Sequence, residues 1–176
     1  MKELSLNILD IAMNSVKAKA KNISISISET HDVMSVVIKD DGTGMSDDTL
    51  RRVTDPFYTT RTTRKVGLGI PFYKLAAEQT GGKMEISSQT DEPSGTIVSA
   101  VFYKNHIDCL PLGDIVSTVL TLVQGYPDID FYFSHNSVIL NTKELREVLG
   151  DVPLSSPEVL SWIREYLEEQ YKEKYK

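Results

Sequence analysis

The sequence predicts an α+β fold, a two-layer α/β sandwich with a small C-terminal α/β appendage. Three observations predict it. Residues 3–21 carry apolar or small side chains at Leu4, Ile8, Ile11, Ser15 and Ala18, one stripe at helical spacing. Residues 23–29 (ISISISE) alternate strictly, as a strand with one buried face does. The order of elements, α-β-β-loop-α-β-β and then α-β-β-α-α, segregates helices from strand pairs.

The elements follow in turn. Asn22 is a plausible stop for the first helix. Met34–Lys39 reads as a second strand, joined to the first by a polar hairpin loop, and the glycines of DDGTGM end it in a tight turn. Residues 46–66 are polar and weakly periodic, with a short helix expected at 47–53. A helix over roughly 69–80 stops at Gly81-Gly82, and strands follow at about 83–89 and 96–103. Beyond residue 105 the character changes. Asp114 is placed to cap a helix at 115–123, and residues 130–134 and 138–141 form a small hairpin around His135-Asn136. Asn141 and Glu144 have capping-box spacing. Ser156 is placed to cap a last helix with Pro157 at its first position. Two units are expected: 1–105, and a C-terminal subdomain at 106–176 suited to interaction.

Of the 176 residues 40% are hydrophobic and 25% charged, a globular balance. No apolar run approaches the roughly 18 residues that span a bilayer, the start MKELSLNILD has no signal-peptide pattern, and the sole cysteine is Cys109. A cytoplasmic protein without a membrane or nucleic-acid role is the expectation, since the net charge of −6 offers no basic groove. Positive charge is concentrated locally at Arg61, Arg64 and Lys65.

Four constellations could carry chemistry. Asp10 and Asn14, four apart, share one helix face. A carboxamide oxygen suits Mg²⁺, and a carboxylate one turn earlier suits a general base; a solvated polar face is the alternative. Asp40-Asp41-Gly42-Thr43-Gly44-Met45 follows a strand, where a carboxylate can accept from an exocyclic amine beside a closely approaching backbone, or simply form a turn. The loop DPFYTTR (55–61) has a central aromatic. Gly67-Leu68-Gly69 opens a helix, an anion-binding arrangement, with Arg61, Arg64 and Lys65 just upstream supplying charge or merely solvated.

In this order these motifs resemble the histidine-kinase-like (GHKL, Bergerat-fold) ATPase superfamily, which includes gyrase, the ninety-kilodalton heat-shock chaperone, sensor histidine kinases and mismatch-repair ATPases. The resemblance covers residues 4–103 and is greatest to sensor-kinase ATP-binding domains and stand-alone anti-sigma-type kinases. It implies ATP and Mg²⁺ as cofactors, with Asn14 holding the metal and Asp40 receiving the adenine amino group. Gly44 would support the adenine, Gly67, Leu68 and Gly69 would bind phosphates, and Thr96 of Gly95-Thr96 would stand near the ring. Residues 46–66 match the mobile ATP lid, and Gly42 and Met45 of the glycine turn, with Phe57, Thr60, Arg61, Arg64, Lys65 and Val66, complete the implied nucleotide site.

Two departures matter: Lys65 stands where kinases often have a first glycine, and Asp10 stands where hydrolytic members have Glu. Sensor kinases carry their phosphoacceptor histidine on a helical pair before the ATP domain, and about three residues precede the first helix here. His31, His106 and His135 lack that context, so transfer to another protein, or ATP hydrolysis, is expected rather than autophosphorylation. The alternative is an ATP-gated binding module whose partner reads residues 106–176 or the lid.

Overall fold

A computed structural model describes residues 2–55 and 68–174. Six strands form one sheet in the order β3-β4-β2-β1-β5-β6, built from β1 (Asn22–Glu29), β2 (Val33–Asp40), β3 (Lys83–Gln89), β4 (Gly95–Tyr103), β5 (Asp130–His135) and β6 (Val138–Asn141). All neighbours are antiparallel except β1 and β5, which run parallel. Residues 106–176 thus supply two strands to the sheet that residues 1–105 begin.

Alternation along each strand buries one face. Ile86, Val98, Ile38, Ile25, Phe133 and Leu140 lie in register across all six strands, and those of them on β1, β2, β4, β5 and β6 are almost fully buried. Helices α1 (Leu4–Lys17), α3 (Gly69–Gln79), α4 (Ile115–Gly125) and α6 (Pro157–Lys174) bring Ile8, Ile11, Tyr73, Leu122, Ile163 and Leu167 into the same core. The opposite face carries Ser24, Ser26, Ser35, Lys39, Ser99 and Tyr132, on the side away from the core that α1, α3, α4 and α6 fill. This is the two-layer sandwich that the alternation predicts.

Local details differ from the expectation where a tertiary contact intervenes. Helix α1 ends at Lys17 rather than near residue 21, because Lys19 takes a positive φ of 59° and turns the chain. The Ala18 carbonyl so released accepts the Thr43 amide at 2.9 Å. Asp114 caps α4, accepting the Ser117 amide at 2.9 Å. Asn141 accepts from the Lys143 amide at the head of α5 (Thr142–Leu149), an Asx turn in place of the capping box. Ser156 precedes α6, but its hydroxyl is buried without a hydrogen-bond partner, and only its carbonyl joins the helix. No helix among the described residues is long and apolar enough to cross a membrane.

Candidate nucleotide site

Strand β2 delivers Asp40 to its last position, on the core face and only 8% exposed. Burying a carboxylate demands hydrogen-bond donors. Two are present: Ser15 Oγ donates to Oδ2 at 2.6 Å and the Gly42 amide to Oδ1 at 2.9 Å. An ionised carboxylate has about four acceptor sites, so both oxygens can still receive a ligand. They border a cavity of about 160 Å³ lined by Ile11, Asn14, Ile38, Met45, Ile70 and Ile86, with Gly44, Thr96 and Val98 among its other walls.

The turn after β2 is held from both sides. Asp41 accepts the amides of Lys21 and Asn22 at 2.8 and 2.9 Å and the Asn22 side chain at 2.8 Å. Partial burial opposes ionisation of Asp41, but these donors outweigh it and keep its carboxyl below the usual carboxylate range. From the β3–β4 hairpin, Ser88 Oγ accepts the Met45 amide at 2.7 Å, and Ser94 donates to the Gly42 carbonyl at 2.8 Å. Ser88 also meets Thr96 Oγ1 at 2.7 Å, because Ser88, Thr96 and Asp40 are cross-strand partners in one row. Gly44 has φ +69°, and a Cβ there would collide with the Gln89 carbonyl. The turn can approach the hairpin this closely only as glycine.

Asn14 and Asp10 share a helix face but not a setting. Asn14 is half-buried in the cavity wall, whereas Asp10 is exposed and outside it. Asp10 lies against the amino end of α3: a Cβ on Gly69 would stand 3.1 Å from the Asp10 Cβ. Leu68 and Gly69 form that end, and Leu68 contributes no side-chain cap to the helix. Phe57, Thr60, Arg61, Arg64, Lys65, Val66 and Gly67 lie outside the described residues.

The sequence profile of the histidine kinase-, DNA gyrase B-, and HSP90-like ATPases matches residues 1–106. The chain belongs to this ATPase family. Within it, sporulation kinase E of Bacillus subtilis is 36% identical over 99 residues, 55% of this chain and 13% of that protein. The tetrathionate sensor histidine kinase TtrS of Salmonella typhimurium is 32% identical over 95 residues, 53% of this chain and 16% of that one. This chain therefore spans less than a fifth of either relative. In fold it is similar to the Aquifex aeolicus MutL ATPase domain, solved with ADP, at a TM-score of 0.56 and 13% identity, covering 85% of this chain and 69% of that one.

Of the residues expected to form the ATPase site, Asn14, Asp40, Gly44, Met45 and Thr96 border one cavity. Gly42 stands beside it through its amide on Asp40. Sequence reasoning missed three residues. Ser15 reads as a small member of the helix stripe, yet it holds the Asp40 carboxylate. Ser88 and Ser94 sit in a hairpin whose polarity looks like surface. The one signal available was position, since Ser15 follows Asn14 directly and Ser94 precedes Gly95-Thr96.

Proposed function

We propose that this chain binds ATP with its adenine ring at Asp40, and acts as a kinase or ATPase in bacterial signalling, phosphorylating a partner protein or hydrolysing ATP. The observation that carries the reading is the Asp40 carboxylate, buried, fixed by two donors and facing an apolar slot. A carboxylate accepts a hydrogen bond from the exocyclic amine of adenine and repels the carbonyl oxygen that guanine presents there. Ile38, Met45, Ile86 and Val98 offer the apolar walls that a flat ring needs, which supports an adenine ring in this cavity.

Asn14 is the residue to hold Mg²⁺, since that ion takes few protein ligands besides phosphates and waters. When bound, the ion would neutralise phosphate charge. The backbone N–H groups of Gly67, Leu68 and Gly69 would meet phosphate oxygens at the amino end of α3. By the family resemblance, Phe57, Thr60, Arg61, Arg64, Lys65 and Val66 would complete the nucleotide site, with Arg61, Arg64 and Lys65 adding positive charge. Asp10, one turn before Asn14 and beside Gly69, would take the proton from an attacking water or acceptor hydroxyl. The sensor-kinase relatives support this reading.

The test is a steady-state assay with radiolabelled ATP, with and without bacterial lysate. Turnover or label on an added protein is expected, and Asp10→Asn should lower it by about 10²–10⁴-fold while nucleotide binding persists. Tight nucleotide binding with no turnover and no transfer would instead support an ATP-gated binding module read through residues 106–176 or 46–66.

A further inference from the structure

Helix α6 has two unlike faces. Val159, Ile163 and Leu167 enter the core, while Glu158, Trp162, Glu165, Tyr166, Glu169 and Glu173 recur at three- and four-residue spacing on a face that is exposed along its length. Trp162 and Tyr166 remain 47% and 37% exposed, and their rings stack with centroids 4.9 Å apart and planes at 12°. Single apolar side chains on a surface are ordinary, but two adjoining aromatics left in water mark a contact surface. From Glu158 to Glu173 this face is about 22 Å long. The helix packs on α4 and β6, whereas the nucleotide cavity is lined from residues 11–98, so the two surfaces are separate.

Charge decides which occupant fits. The carboxylates of Glu158, Glu165, Glu169 and Glu173 have neither an ion pair nor a hydrogen bond among the described residues. Of the cations on α6, Arg164 is committed to Glu168 at 3.6 Å and to Ser117, and Lys174 reaches the His135 carbonyl on the core side. Lys172 alone stands at the margin of the face among the described residues of the helix. Such a face repels nucleic acid, an anionic membrane and a second copy of itself, and attracts a cationic surface. Strand addition is closed as well: Gln170 accepts the Ile139 amide at 3.1 Å and donates to the Ile139 carbonyl at 3.0 Å, covering the outer edge of β6 there. A partner that approaches this end of the molecule therefore meets α6 rather than the sheet.

We propose that this face docks a basic helix of a partner protein, with Lys or Arg side chains on the glutamates and a cationic side chain over the Trp162–Tyr166 pair. Glu158 with Glu165, Trp162 with Glu169 and Tyr166 with Glu173 repeat at heptad spacing, the repeat that a second helix packed alongside reads. A facing helix of about 15 residues covers the length of the face. Trp offers the most favourable ring face to a cation, and the aliphatic stem of Lys or Arg covers the apolar area that the pair leaves in water. Ion pairs at such a rim set partner choice and association rate more than raw affinity.

The test uses the full chain without nucleotide, so its outcome stands apart from that of ATP binding. A fluorescein-labelled peptide, Lys-Ala-Ala-Leu-Lys-Ala-Ala-Arg-Ala-Ala-Leu-Lys-Ala-Ala-Lys, is titrated by fluorescence anisotropy, beside its counterpart with Glu at every Lys and Arg. Saturable binding of the basic peptide alone is expected, about tenfold weaker in the Glu165→Lys, Glu169→Lys double variant and about fivefold weaker in Trp162→Ala. The Asp91→Lys, Glu92→Lys double variant changes the net charge equally, on an exposed turn at the other end of the sheet, and should bind within about twofold of the parent. Should charge reversal unsettle the helix, Glu165→Gln, Glu169→Gln should still weaken binding roughly threefold. Absence of basic-peptide binding, equal binding of the acidic peptide, an equal loss in the turn variant, or unchanged binding in the α6 variants would overturn the proposal. So would a dimer in sedimentation velocity that Glu165→Lys, Glu169→Lys abolishes, which would assign the face to a second copy of the chain.

Discussion

At the scale of single residues, the site rests on how a carboxylate is held and aimed inside an apolar wall. Asp40 is held in one rotamer by Ser15 and the Gly42 amide, and Ser15 adjoins Asn14 on α1. The adenine end and the metal end of the proposed site are therefore tied to one helix turn. Ser15→Ala removes a hydrogen bond to a charged group, which contributes about 1.5–3 kcal/mol. Denaturant melts should show a loss of that order, and calorimetry a weaker ATP complex, both recovered in Ser15→Thr. Wild-type affinity in Ser15→Ala would show that the Gly42 amide alone suffices. Here the sequence was only partly legible. Asp40, Gly44, Asn14 and Thr96 stand out as motif positions, whereas Ser15, Ser88 and Ser94 act through contacts 25, 43 and 52 residues away, which no local pattern encodes.

At the scale of elements, periodicity decided nearly everything, because each strand buries one face and each packed helix one stripe. The expected strands at 23–29 and 83–89 coincide with β1 and β3 to within a residue, and helix 47–53 matches α2 (Asp47–Val53). Misreadings occurred at ends, where tertiary contacts override local preference. The Lys19 turn cuts α1 short to give Thr43 a carbonyl, and the Ser156 hydroxyl is shielded from solvent, with no hydrogen-bond partner among the described residues, where a cap was expected. The β3–β4 hairpin acts as a clamp on the glycine turn, through Ser88 on the Met45 amide and the close approach of Gly44 to Gln89. Gly44→Ala imposes both a left-handed backbone and a collision with that carbonyl. It should release the clamp, so that hydrogen exchange at the Met45 amide accelerates at least tenfold and ATP binding falls with it. Unchanged protection would mean the turn holds its shape without the hairpin.

At the scale of the whole molecule, one sheet and one core join residues 1–105 to 106–176, and a polar latch closes the far end. His135, 2% exposed, meets Glu29 Oε2 at 2.8 Å through Nε2 and Tyr171 Oη at 2.9 Å through Nδ1, while Lys104 meets Glu29 at 2.6 Å and Lys174 reaches the His135 carbonyl. Burial pushes the His135 pKa down, more than the Glu29 hydrogen bond raises it. Glu29 stays below its usual range because Lys104 and His135 outweigh its own burial. Both signs agree: the unfolded chain binds the extra protons, so stability is whole above the ordinary histidine pKa of about 6.5 and falls as pH drops below it. A second loss begins below the ordinary glutamate value of about 4.3. Denaturation midpoints should decline between pH 7 and 5.5, and His135→Asn should flatten that slope; an undiminished slope in the variant would place the proton uptake elsewhere. The central claim is that Asp40 is the adenine receptor of an ATP site. The most direct measurement is calorimetry of Mg-ATP and Mg-GTP on the parent and on Asp40→Asn. The account predicts ATP bound well above GTP by the parent, with ATP affinity reduced about tenfold or more and discrimination relaxed in the folded variant. Equal ATP affinity in the two proteins would contradict it.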